Sequence, residues 1–159
     1  RQSTSDKVSG RPVAPEILAD MASYRAEARF LRALSLWHAM DMFGNVPIQT
    51  ENDPVGFYYP QQRSKQEVFD FLVAELQAID ADLKSSQANE YGRVDKAFAW
   101  MILAKIYLNA EVYIGVNKYQ QCIDKCNAIM AGGYTLIPNY LNNFKNHFEY
   151  YFNFTIRVS

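Results

Sequence analysis

The most restrictive feature of the chain is the stretch "KAFAWMILAKIYLNA". Apart from Lys96, Lys105 and Asn109, every residue from 96 to 110 is apolar. A helix of this composition has no face suited to water, so it is predicted to lie inside a bundle with neighbours on several sides. Its alanines let another helix come close. The run is too short for the roughly 20 residues that a membrane span needs. Asp95, just before it, is a suitable N-cap. The rest of the sequence must therefore supply the helices that surround this one.

It does so three times. Ile17, Met21, Tyr24, Ala28 and Leu31 recur at steps of three and four, which predicts a helix from Pro15 to Phe43. Leu34, Trp37, Met40, Met42 and Phe43 open a second apolar face, so its C-terminal half is expected to be buried on two sides, with Trp37 in the core. Gly44 stands where a left-handed C-cap is expected, and Pro47 prevents continuation. Residues 45–63, rich in proline, read as a loop. Ser64 and Glu67 then form a capping box ahead of a stripe of Val68, Leu72, Leu76, Ile79 and Leu83, with Glu75, Asp80 and Asp82 facing outward. Asn117, with Gln120 in the capping-box position, opens a last helix. Its stripe is Tyr119, Cys122, Ile123, Cys126 and Ile129, and Gly132-Gly133 stops it.

These elements predict a mainly all-α fold of stacked, tetratricopeptide-like helical hairpins, with spacing looser than the usual period of about 34 residues. A single hairpin cannot bury its own apolar face, so hairpins share a core. From Phe148 to Ser159 the pattern alternates strictly, with Phe148, Tyr150, Phe152, Phe154, Ile156 and Val158 on one side. That reads as a strand with one buried face, and no other segment reads as its partner. The expected organisation is an irregular lead-in over 1–13, a helical scaffold over 14–137, and a loop with a truncated strand over 138–159. The chain is expected to be a piece of a larger α-rich protein whose remaining strands pair with this one.

Composition excludes more than it assigns. The 159 residues are 49% hydrophobic and 21% charged, enough for one domain with a proper core. The net charge of −1 offers no basic excess for nucleic acid or an anionic membrane. His38 and His147 are far apart, His38 reads as a packed or partly exposed residue beside Trp37, and no hydrolytic triad, metal-ligand set or phosphate-binding glycine loop is present. Cys122 and Cys126, at i and i+4, read as small apolar core residues, with no disulfide between them and no histidine near to complete a zinc set. Asn153 matches a glycosylation sequon inside the terminal strand. Arg25, Arg29 and Arg32 share one side of the first helix. They read either as a face salt-bridged to Asp20 and Glu27 or as a device that pins a neighbouring loop. The loop "GFYYPQQR" places three aromatic residues between prolines. It can cover helix ends or contact a partner, or it can form a stacking platform for sugar rings, for which Tyr58 and Tyr59 are the candidate residues.

Several of these segments resemble one family in order. "AEARFLRALSLWHAMDMFGNVPIQT", "RSKQEVFDFLVAELQAIDADL", "YGRVDKAFAWMILAKIYLNAEVY" and "KYQQCIDKCNAIMAGGYTLIPNY" are similar to the consecutive helical segments of the SusD/RagB family, over about residues 22–141. "NNFKNHFEYY" departs from the acidic, asparagine-rich stretch that precedes the family's following strand. The resemblance implies a non-catalytic lipoprotein at the outer-membrane surface of Bacteroidetes. Such a protein captures glycans or other nutrients for a SusC-type TonB-dependent transporter and needs no cofactor or metal. Its helices form the scaffold that packs on the transporter, and sugars bind largely through loops outside them. A generic tetratricopeptide-like adaptor for a protein partner is the alternative, and a glycoside-processing domain is the third reading.

Overall fold

The computed structural model describes residues 7–8, 11–54, 56 and 59–134. Five helices carry the architecture. The first, α1, runs from Pro15 to Phe43. Proline in its first turn lacks only an amide hydrogen that would have no helical partner there. The helix ends where the Gly44 amide donates to the Met40 carbonyl at 2.9 Å. Gly44 has φ +79° and ψ −94°. The positive φ suits glycine, but the ψ lies outside the left-handed helical well that the sequence predicts. A Cβ at this position would sit 3.3 Å from Lys65 Cε.

The second helix, α2, spans Lys65–Ala78 and returns antiparallel to α1. Its capping box is formed as predicted: Ser64 Oγ accepts from the Glu67 amide at 3.3 Å, and Glu67 Oε2 accepts from the Ser64 amide at 2.8 Å. The helix stops five residues before the end of its apolar stripe, yet Ile79 and Leu83 are still buried by the turn that follows. The third helix, α3, covers Lys96–Leu108, and Asp95 Oδ1 accepts from the Phe98 amide at 2.9 Å as expected of an N-cap. After a break at Asn109 the chain makes the short α4, Ala110–Ile114, and then α5, Tyr119–Ala131.

Phe30 on α1 meets Phe98 on α3 with ring centroids 5.0 Å apart. Two turns on in both helices, Lys105 lies over the Trp37 ring at 5.7 Å. The helices α1 and α3 are therefore parallel neighbours, each backed by its own partner, α2 or α5. This is a stack of hairpins around one core. Phe30, Met40, Leu72, Leu76, Ile79, Leu103 and Ile106 are completely buried in it.

Several expectations need correction. Two short antiparallel ladders occur that the sequence pattern does not announce. Lys7–Val8 (β1) pairs with Arg11–Pro12 (β2), and Val46–Pro47 (β3) pairs with Gln62–Arg63 (β4). Ladders of two residues are too short to show alternation. Glu75 is buried, not outward. The helix α3 has neighbours on several sides, as expected, and Ala97, Ala99, Ile102, Leu103, Ala104, Ile106 and Tyr107 are buried, while Phe98, Met101 and Leu108 are exposed among the described residues. The last helix begins one residue later than predicted, with Lys118 at the N-cap and no side-chain cap. None of its stripe residues is fully buried, and Cys126 is exposed. Trp37 is half-buried at the edge of the core. The alternating segment from Phe148 to Ser159, with Asn153, lies outside the described residues.

Candidate functional site

The loop between α1 and α2 is the part of this scaffold that leaves the helical stack. Its stem is built from backbone pairing and one asparagine. The β3–β4 ladder closes it, the Asn45 side chain accepts from the Lys65 amide at 3.0 Å, and Gln62 Nε2 donates to the Asn45 carbonyl at 2.9 Å. Further out, Asp53 Oδ2 accepts from the Thr50 amide at 2.5 Å and from the Thr50 hydroxyl at 3.2 Å, which fixes a tight turn.

A charged clamp ties this loop to the helices. Glu75 projects from α2 between Arg29 and Arg32 of α1. Arg29 Nε and Nη2 donate to its two carboxylate oxygens at 2.9 and 2.7 Å, a bidentate pair. Arg32 Nη2 donates to the same carboxylate, and Arg32 Nη1 donates to Glu51 of the loop at 2.5 Å. Burial alone raises the pKa of the Glu75 carboxyl, but the hydrogen bonds and charges of the two arginines outweigh it and hold the group below its ordinary value. The hydrogen bond from Arg32 likewise holds Glu51 low. Of the two readings open for the arginine face, pinning a loop is the one realised at Arg32. Glu27 pairs with Arg93, whose Nη2 donates to it at 2.8 Å. Spacing alone places Glu75 on the core face, three residues after Leu72 and beside Leu76 and Ile79, but it does not show the arginines that meet it there.

Of the two predicted sugar contacts, Tyr59 is 86% exposed in the loop. Tyr58 lies outside the described residues. The proline-bounded loop therefore presents at least one tyrosine ring fully to solvent, above a stem that is held at both ends.

The same end of α1 carries a second polar group. His38 stacks beside Trp37, with centroids 4.7 Å apart, and is exposed. The Tyr113 hydroxyl donates to Asp41 at 2.6 Å. Burial, together with that bond, pushes the Tyr113 phenol up to about 12, so it remains a donor at neutral pH. His147 lies outside the described residues. Among the described residues no group of three histidine, cysteine or acidic side chains is placed to hold a metal ion. No helix of the described residues is long and apolar enough to cross a membrane. Both cysteines are free thiols; burial comes first among the causes that raise the Cys122 pKa, followed by the nearby Cys126.

No family model matches the chain. Individual proteins do. It is 35% identical over 124 residues to the starch-binding protein SusD of Bacteroides thetaiotaomicron, a match covering 77% of this chain and 22% of that protein. It is 28% identical over 128 residues to the SusD-like protein P25 of Formosa agariphila, covering 79% of this chain and 23% of the relative. Solved structures agree. Surface glycan-binding protein A from Bacteroides uniformis superposes with a TM-score of 0.67 at 26% identity, over 86% of this chain and 30% of that one. A laminarin-binding SusD-like protein gives 0.66 at 26%, over 81% and 28%. A SusD-like carbohydrate-binding protein from Bacteroides fragilis gives 0.64 at 27%, over 77% and 24%.

This helical region is SusD-like. The chain spans less than a quarter of the length of the curated SusD-like relatives. The stacked hairpins predicted from periodicity superpose on a helical part of the SusD-like structures. The names of these relatives tie them to starch, laminarin and glycans.

Proposed function

We propose that the whole protein is a non-catalytic glycan-binding protein of the outer-membrane surface, working with a SusC-type TonB-dependent transporter in polysaccharide uptake. The helices described above act as its scaffold. The observation that carries this reading is the 35% identity to a starch-binding protein across the helical stack. The loop after α1 supports it: an exposed aromatic ring on a braced stem suits the apolar face of a sugar, and a braced loop loses little freedom on binding. The reading places Tyr58 and Tyr59 at the sugar contact and assigns no residue to bond cleavage.

Migration of the full-length protein through native gels containing starch or laminarin tests it. The expected result is retardation by at least one glycan, weakened when Tyr58 and Tyr59 are both replaced by alanine. Undiminished retardation of the double variant removes the loop from the site. Co-purification of a TonB-dependent transporter with the tagged full-length protein from solubilised outer membranes tests the partnership.

A further inference from the structure

A second feature lies on the helical scaffold itself. Between α2 and the start of α5 lies a cleft of about 490 Å³. This is within the range of about 300–1,000 Å³ usual for sites that hold small molecules. Its floor is apolar, formed by the buried rings of Phe69 and Tyr107. Its rim is polar in a particular way. Gln66, Gln77 and Gln121 all reach it, each with an amide that can donate and accept.

Two of those amides are already oriented. Gln77 Nε2 donates to the Tyr107 hydroxyl at 3.2 Å, and Gln66 Nε2 donates to Asp70 Oδ2 at 3.0 Å. Side chains held in place by such bonds lose less freedom when a ligand arrives. The two charged groups at the rim, Asp70 and Lys118, cancel, so the cleft has no preference for an ion. The first turn of α5, which includes Gln121, has no side-chain cap.

An apolar floor, a rim of amides and a balanced charge match one ligand chemistry: a neutral molecule dense in hydroxyl groups on one side and in C–H groups on the other. We infer that this cleft is a second subsite for a neutral oligosaccharide, separate from the loop that carries Tyr58 and Tyr59. The inference rests on the glycan-binding reading above and places part of that binding on the scaffold itself. A chain bound at the loop and at the cleft gains from the second contact being intramolecular, so long glycans bind more tightly than short ones.

The test is calorimetric titration of the full-length protein with starch-derived and laminarin-derived oligosaccharides of increasing length. Gln77→Ala with Gln121→Ala removes two amides, and Ala74→Arg, at an exposed cleft position, blocks the space without touching them. The glutamine variant is expected to weaken one binding site about thirtyfold, as the loss of two neutral hydrogen bonds implies, and Ala74→Arg is expected to remove that site. The loop site is expected to remain. Replacing Tyr58 and Tyr59 by alanine is expected to do the reverse. If the wild type binds and both cleft variants bind with unchanged stoichiometry and affinity, the cleft proposal is overturned while the glycan reading stands. If the wild type binds no oligosaccharide, the glycan reading falls and the cleft with it. Binding of a peptide in the cleft in preference to any oligosaccharide also overturns the proposal.

Discussion

The two hairpins solve the same packing problem differently. The α1–α2 hairpin is stitched by charge as well as by apolar contact. Glu75 is buried between two arginines, α2 starts in a complete capping box, and five of its residues are buried. The α3–α5 hairpin has no comparable ion pair across it among the described residues. Seven residues of α3 are buried, three of them alanines, while α5 has none buried and no N-cap side chain. Ile123 and Met130 of α5 are 51% and 67% exposed. Charge across the helices is therefore concentrated in the hairpin that carries the aromatic loop. The second hairpin is held mostly through one close-packed helix.

Substitutions can break or sharpen that contrast. The largest effect is expected at Phe30, which is fully buried and meets Phe98 across the hairpins. Phe30→Ala should cost about 3–5 kcal/mol in urea denaturation of the full-length protein. A cost near zero would mean that the two hairpins do not share a core.

Next comes Glu75→Ala. Removing one partner of a buried ion pair costs about 3–5 kcal/mol, and the partial exposure of both arginines lowers this to about 2–3. Acid should have a related effect. The folded-state pKa of Glu75 lies below its unfolded value, so its contribution is present above the usual carboxylate range, near pH 4.5, and fades as pH falls through the lower folded value. Wild type and Glu75→Ala should therefore draw closer in stability as pH falls below 4.5 and through the lower folded value. Parallel curves down to pH 3 would show that the clamp adds no pH-linked stability.

How much of this was legible beforehand follows from the kind of interaction involved. Periodicity located α1 to the residue and found the Ser64 and Asp95 caps, because caps and helix faces are set by neighbours three and four positions away. It misplaced Glu75. A carboxylate at a core-facing position can be buried only if cations from another helix meet it, and such a meeting over 43 or 46 residues is invisible to local pattern. The β3–β4 ladder escaped for the same reason: two residues per strand carry no alternation, and what pairs them is the asparagine-braced stem. The arginine face was read with both of its outcomes, and only the position of Glu51 and Glu75 decides between them.

Smaller effects probe the caps. Ser64→Ala should cost about 1 kcal/mol by removing half of the capping box. Lys118→Ser, at the uncapped start of α5, should gain a few tenths to about 1 kcal/mol. The smallest effect is expected at Ile123: replacement by alanine should change stability by less than about 0.5 kcal/mol. A loss of about 2 kcal/mol there would mean that another part of the full-length polypeptide covers the outer face of α5, and the contrast between the hairpins would then be narrower than the described residues suggest.

The central proposal is that these stacked helices brace a protein that holds glycans without cutting them. Its most direct test is prolonged incubation of the full-length protein with starch and laminarin oligosaccharides, with binding followed by calorimetry and the recovered sugars sized by chromatography. The account predicts measurable binding of at least one glycan and recovery of that glycan at its original length. Shortened products that appear only with the protein present, or no binding to any glycan tried, would contradict it.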